Sequence, residues 1–243
     1  MSRPQPTIQW LQSAVDKLAD QVPKPQPVKF PHGLAYRYVE KTVEQAVIIK
    51  LARYVSGLSA GTVLQQHGFF QELCVLQRVL DEINEDVIFL TLPLVGKESS
   101  EHHHQYLDSF WEEEPSYSTF AARQQNRHSL PRKHIRAYLS KANDEEAPDH
   151  SVISVSNYLS RLYSGFVHAA APQSLELYDE KSGHFQMLGF PISPFATDHV
   201  EDFQNQFFRG NQLILYVSMA FSNESLAQTA HEIERELALH YGS

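Results

Sequence analysis

Cysteine is almost absent from this sequence, which has a single one, Cys74, in 243 residues. One cysteine excludes a disulfide within the chain and a metal cluster held by several thiolates. Cys74 lies between Leu73 and Val75 in an apolar helical pattern. This pattern predicts a buried, unreactive thiol.

Long hydrophobic runs are also lacking. The longest apolar run, around residues 212–221, is about half of what a membrane-crossing helix needs. Residues 1–20 lack the uninterrupted apolar stretch of a signal peptide. We therefore expect a soluble, cytoplasmic protein that has no membrane partner.

Positive charge is scarce, because 20 Lys and Arg residues face 29 Asp and Glu residues and the formal net charge is −9. Such a balance argues against nonspecific nucleic-acid binding over the whole surface. Residues 121–141 are the exception, since they contain no acidic residue and carry Arg123, Arg127, Arg132, Lys133, Arg136 and Lys141. This segment predicts a patch for RNA or another anion, and the alternative is a solvated helix face.

Helical periodicity dominates what the sequence does contain. Apolar residues recur at steps of three and four over residues 36–58 and 69–87, which predicts two long helices with a break near Gly68. Gly57 and Gly61 on the first helix would allow a close helix crossing. Further helices are predicted over residues 105–111, 131–141, 151–169, 194–221 and 223–241.

The remaining segments complete a mainly α fold. Residues 7–20 are amphipathic and lead into four prolines, which predicts an N-terminal arm and Pro-rich connector over residues 1–32. The β-favouring stretches SLELY and HFQML, separated by DEKSG, predict one small β-hairpin near residues 174–188. We thus expect a bundle of about six to eight helices forming a single domain over residues 33–243.

Histidine is frequent, yet its spacing does not favour a metal site. His102, His103 and His104 would point in different directions from one helix, which predicts an exposed surface. A metal-dependent hydrolase using His67, Glu72 and His168 is the weakest hypothesis, because the first two are five apart and no HExxH motif is present. We expect neither a metal nor another cofactor.

Arg161 and His168 form the most distinctive candidate site. Seven positions turn a helix back to within about 20° of its start, so both side chains lie on one face of the predicted helix over residues 151–169. Small and polar residues share that face: Ser154, Asn157, Ser164 and Gly165. The pattern predicts a shallow notch with a guanidinium at one end and an imidazole at the other.

Such a notch has the chemistry needed to cleave RNA without a metal. A guanidinium can hold the phosphoryl oxygens, and a histidine can move a proton to or from a ribose hydroxyl. In the alternative interpretation the pair belongs to a solvated face, or it is covered by the carboxylates of a neighbouring helix. The carboxylates that could cover Arg161 are Glu72, Asp81, Glu85 and Asp86.

The stretches LQRVLDE at residues 76–82 and YLSRLYSGFVHA at residues 158–169 resemble the DUF5677 family of the HEPN-like helical superfamily. The resemblance covers about residues 36–178, and the helices over residues 194–241 lie beyond it. It implies a dimeric, metal-independent ribonuclease with Arg161 and His168 as the catalytic pair. The sequence departs from the nuclease pattern at Leu162, where a polar residue usually follows the arginine.

Arg78 and Glu82 stand four apart in the first of these stretches, so they either support the chemistry or form a structural ion pair. Asn157 and Ser164 are the other supporting candidates. Two functions remain open: a ribonuclease, or a noncatalytic helical module for dimerisation or interaction in a defence or regulatory system. A ribonuclease requires Arg161 and His168 to be open to solvent, and a structural pair would be covered.

Overall fold

The computed structural model describes residues 4–30, 33–112, 130–143 and 150–241. These residues are mainly helical, which confirms the mainly α fold class. The helices among them are α1 (Pro4–Ala19), α2 (Val43–Gln66), α3 (Phe70–Thr91), α4 (Glu101–Trp111), α5 (Arg132–Asn143), α6 (His150–Val167), α7 (Ala171–Leu175), α8 (Ala196–Ala220) and α9 (Glu224–Tyr241). A 3-10 turn over Leu92–Val95 follows α3. The five-residue helix α7 is the one that the sequence patterns did not predict.

The long helices α2 and α3 form an antiparallel pair at the centre of the molecule. Gly68 joins them with a left-handed backbone, φ +72°, and so confirms the predicted break. A Cβ atom at Gly57 would lie 2.6 Å from Leu80, and one at Gly61 would lie 2.4 Å from the Phe203 ring of α8. The predicted close crossing is therefore confirmed, because both glycines let neighbouring side chains reach the backbone of α2.

Helix α1 is packed into the main core. Leu11, Ala14 and Leu18 are fully buried in the same cluster as the apolar side chains of α2, α3 and α8. The Trp10 indole Nε1–H donates to Asn211 Oδ1 of α8 at 3.0 Å. The helix expected as a packed arm thus contributes to the core itself, and a domain division at residue 32 remains a prediction.

Two antiparallel hairpins accompany the helices among the described residues. The predicted hairpin is present as β3 (Tyr178–Asp179) and β4 (His184–Phe185), which bracket the turn containing Gly183. A second one pairs β1 (Gln26–Phe30) with β2 (Gly33–Arg37). β1 lies within the expected proline-rich connector, whereas β2 includes Tyr36, with which the first long helix was predicted to begin; that helix begins at Val43 instead. Pro27 is compatible with the pairing of β1 and β2 because a two-stranded hairpin has only edge strands, where a missing N–H can face outward.

Helix α2 is long and apolar enough to cross a membrane by length and composition alone. Half of its most apolar window is buried inside the protein, and core helices of soluble proteins pass the same test. Tyr54 and Leu58, for example, are almost completely buried in the main core. The cytoplasmic location therefore remains a prediction.

Candidate functional site

Arg161 and His168 lie on the solvent side of α6 and both side chains are exposed. Tyr163 and Phe166, on the opposite side, are buried against Cys74 of α3. Neither Arg161 nor His168 has a side-chain hydrogen bond or ion pair with another described residue. The C-terminal half of α6 thus has the predicted polar face with Arg161 and His168, and an apolar face opposite to it.

The carboxylates that could have covered Arg161 bind other cations. Asp81 accepts a hydrogen bond from Arg209 at 2.6 Å, and Glu85 accepts one from Arg136 at 2.8 Å. Asp86 accepts one from Lys50 at 2.7 Å. Glu72 is exposed at the start of α3. Among the described residues, therefore, the interpretation in which carboxylates cover Arg161 has no support.

The predicted notch between Arg161 and His168 is filled at Gly165. A Cβ atom on Gly165 would lie 2.5 Å from the Gln173 side chain of α7, so that side chain rests directly on the helix backbone. The main-chain oxygen of Gln173 is held by Gln71 Nε2 at 2.8 Å. The expected shallow notch is corrected accordingly: the small residues of α6 seat a neighbouring element instead of leaving a groove.

His168 lies just beyond the last residue of α6. The backbone N–H of Ala170 donates to Gly165 O at 2.9 Å, and that of Ala169 donates to Phe166 O at 3.3 Å. This is the Schellman pattern, with Ala169 in the left-handed region at φ +50°. His168 is consequently the C-cap residue, and about 10 Å of helix axis separates it from Arg161.

Arg78 and Glu82 form the ion pair that the sequence offered as an alternative, with Nε and Oε1 3.3 Å apart. Arg78 Nη1 also donates to the main-chain oxygen of Ser160 at 2.9 Å. Because Ser160 directly precedes Arg161, Arg78 helps to position α6 on α3. Its guanidinium faces α3 and α6, so it does not lie on the exposed face that carries Arg161 and His168.

The basic segment is only partly described. Arg123 and Arg127 lie outside the described residues. Arg132 and Arg136 of α5 pack against the carboxylates of α3, while Lys133 faces solvent. The predicted patch for RNA is thus reduced at two of its positions, because their charge is balanced by Asp86 and Glu85.

The other supporting candidates both belong to α6. Ser164 is half-buried beside Gly165. Asn157 belongs to α6, but its side chain lies outside the described part of the chain.

A charged cavity of about 210 Å³ lies between α3, α5, α6 and α8. Three arginine–carboxylate pairs contribute to its walls: Arg78 with Glu82, Arg136 with Glu85, and Arg209 with Asp81. Burial raises the pKa of both Asp81 and Glu85, against the opposing effect of the nearby guanidinium groups. A phosphate entering this cavity would have to displace a carboxylate from each arginine that it binds. The cavity is therefore not suited to binding an anion.

A chain of three ionisable groups connects α3, α8 and the loop after α7. Cys74 Sγ lies 3.3 Å from His199 Nδ1, and His199 Nε2 lies 2.8 Å from Glu176 Oε2. The order matches a nucleophile, a base and an orienting acid. However, Cys74 is 1% exposed, burial raises the pKa of its thiol, and the nearby cavity is only about 10 Å³. No substrate can reach the sulfur, so the prediction of a buried thiol is confirmed.

The histidine run is not a uniformly exposed surface. His103 is buried and stacks on Phe89 with ring centroids 3.9 Å apart. The Ser100 N–H donates to its Nδ1 at 3.0 Å, which leaves Nε2 to donate to Phe89 O at 3.1 Å. The prediction of exposure is therefore wrong for His103, because the first turn of α4 directs this side chain into the core.

Neither this run nor the other described residues bring together three His, Cys, Asp or Glu side chains that could hold a metal ion. The chain matches no family model, and no curated protein or solved structure gives a significant match.

Proposed function

We propose that the protein is a metal-independent ribonuclease in which Arg161 binds the phosphodiester and His168 transfers a proton. The observation that supports this is the contrast between Arg161 and its neighbours. Arg78, Arg132 and Arg209 are all paired with carboxylates of α3. Arg161 has no such partner among the described residues and is free to meet a phosphate.

In the proposed reaction the ribose 2′ oxygen attacks the adjacent phosphorus, and the 5′ oxygen leaves with its bonding electrons. A 2′,3′-cyclic phosphate and a 5′ hydroxyl result, so no water and no redox partner are consumed. His168 either accepts the proton of the 2′ hydroxyl or donates one to the leaving 5′ oxygen. Arg161 neutralises the nonbridging oxygens as charge builds on them.

One imidazole serves one of these two proton transfers at a time. A second copy of the chain would supply the other, in keeping with the dimer that the HEPN resemblance implies. The filled notch at Gly165 points the same way, since it leaves no groove on a single α6 in which RNA could lie. The proposed partners are therefore RNA and a second copy of this chain.

The test is cleavage of several single-stranded RNAs by the purified protein in excess EDTA. We expect cleavage by the parent, and a loss of at least about 100-fold in His168→Ala and in Arg161→Ala, the size typical of acid–base groups. His104→Ala is the matched control, because it removes another exposed histidine. Cleavage that survives His168→Ala, with circular dichroism unchanged, would refute the assignment.

A noncatalytic interaction module is the second candidate. It is favoured by a large exposed apolar surface around residues 185–195. Such a module would show no cleavage in the same assay while remaining folded. Arg161→Ala and His168→Ala would then leave every RNA intact, as the parent does.

A further inference from the structure

An uncharged stretch that begins in β4 has apolar side chains that are exposed to an unusual extent. Residues 185–197 contain no Asp, Glu, Lys, Arg or His. Leu188 is 93% exposed, Ile192 is 82% exposed and Met187 is 76% exposed. We define the 185–195 surface as these three residues with the neighbouring exposed residues Leu175, Tyr178, Phe185 and Phe195. Phe185 contacts the Tyr178 ring and lines one groove together with Met187, and apolar exposure that is grouped in this way is typical of a binding surface.

The loop that carries this surface is firmly held. Phe190 is buried, and its N–H donates to Gly68 O at 2.9 Å. Gly189 has φ +96°, and a Cβ atom there would lie 2.2 Å from His67 O, so the two backbones are in direct contact. Because its backbone is anchored at these points, the loop presents Leu188 and Ile192 in a fixed arrangement. Binding would thus require little further ordering of the chain.

The exposed apolar area matches the requirement of a stable dimer. Seven side chains that are 41% to 93% exposed provide roughly 500 Å², at about 120 Å² for a large apolar side chain. A standard interface buries about 800 Å² on each partner, and about 60–65% of it is apolar. The 185–195 surface therefore supplies the apolar share of one such interface.

Charge and shape indicate what covers it. The charged residues within residues 174–201 are mostly acidic: Glu176, Asp179, Glu180, Asp198 and Glu201, against Lys181. This negative balance opposes an anionic membrane or a nucleic acid. An open groove lined by Leu177, Phe185 and Met187, with Ser174 and His184, lies next in the chain to the exposed Leu188 side chain. An isologous twofold contact would place the Leu188 side chain of each copy in the groove of the other.

The geometry points to the 185–195 surface as the interface between two copies of this chain. This inference does not rest on the proposed ribonuclease, because neither RNA nor Arg161 takes part in it. It goes beyond that proposal by naming the residues through which the copies meet.

Analytical ultracentrifugation of the full chain tests the inference. We expect the parent to sediment at twice the chain mass of 27.8 kDa. Met187→Asp and Leu188→Asp should each raise the dimer dissociation constant by about 100-fold or more, because each buries a carboxylate in an apolar contact. The matched control is Met219→Asp, which changes another exposed methionine, at the far end of α8. It should dimerise as the parent does.

Two results would overturn the inference. The first is a parent that stays monomeric at roughly 100 µM, where an interface of this area should form. The second is a dimer that Met187→Asp and Leu188→Asp leave intact. Cosedimentation of a monomeric parent with phospholipid vesicles would assign the surface to a membrane instead. RNA cleavage by the parent tests the proposed ribonuclease separately from its dimerisation.

Discussion

Substitution of Asp86 should destabilise the protein strongly, because this carboxylate is buried between two cations. Asp86 is 1% exposed and accepts a hydrogen bond from Lys50 at 2.7 Å. Both Nη atoms of Arg132 also donate to it, one of them at 3.2 Å. In Asp86→Ala the two cations would stay half-buried without their main counter-charge.

The expected loss lies near the lower end of the range for breaking a buried ion pair, at about 3 kcal/mol of unfolding free energy. Arg132 would retain Glu82 and Glu85 at 3.6 and 3.8 Å. Lys50 would retain the faces of two aromatic rings, with its Nζ 5.3 Å from the Phe110 centroid. These remaining contacts reduce the penalty but do not replace a carboxylate that binds both cations.

Urea denaturation followed by circular dichroism measures this loss. Asp20→Ala is the matched control, because it removes an aspartate whose ion pair with Lys24 is largely exposed. That control should leave the midpoint unchanged, since exposed pairs contribute little. An Asp86→Ala protein that loses less than about 1 kcal/mol would refute the reasoning, because the two cations would then not depend on Asp86.

Three further outcomes follow from individual residues. Ala169→Gly should raise the unfolding free energy by roughly 1 kcal/mol, since glycine adopts φ +50° without the Cβ clash; an unchanged urea midpoint would contradict this. Cys74 should react with a thiol reagent only after unfolding, because its thiol is buried and its pKa is raised; rapid labelling of the folded protein would contradict this. Burial also raises the pKa of Glu85 in the folded protein above its value in the unfolded chain. The protonated carboxyl therefore contributes to the unfolding free energy at low pH, and this contribution is lost as the pH rises through the pKa of the folded protein. The unfolding free energy of the parent relative to Glu85→Gln should therefore fall as pH rises from about 4.3; a rising difference in urea titrations would refute it.

Local signals in the sequence were sufficient for most of the helices. The periodicity around Gly68 depends on neighbours a few positions away, and the structure confirms the break there. Gly57 and Gly61 predicted a close crossing, but the sequence could not show that Leu80 and Phe203 would make it. Strand β1 was missed because Pro27 weakens the usual strand signal, and β2 was missed because Tyr36 fits the helical period of the segment that follows it. Neither segment alone indicates that the two strands pair.

The candidate site was predictable only in part, for a related physical reason. The helical period placed Arg161 and His168 on one face, but it could not show that Gln173 would rest on Gly165. The link between Cys74 and His199 spans 125 positions and has no local pattern that could reveal it. Tertiary packing decides such contacts, so the sequence can propose a face without identifying what covers it.

The acidic side of α3 explains why Arg161 differs from the other arginines near it. Asp81, Glu85 and Asp86 are paired with cations from α2, α5 and α8, and these pairs link α3 to its neighbours. The described side chains of α6 meet α3 through Tyr163 and Phe166, and the Tyr163 hydroxyl donates to Gln77 Oε1 at 3.1 Å. Arg78 of α3 binds the main chain at Ser160, so Arg161 takes no part in these contacts. The positive charge of Arg161 is thus separate from the ion pairs that stabilise the fold. For this reason a substitution at Arg161 should leave the stability of the structure unchanged, whereas a substitution at Arg132 should weaken it.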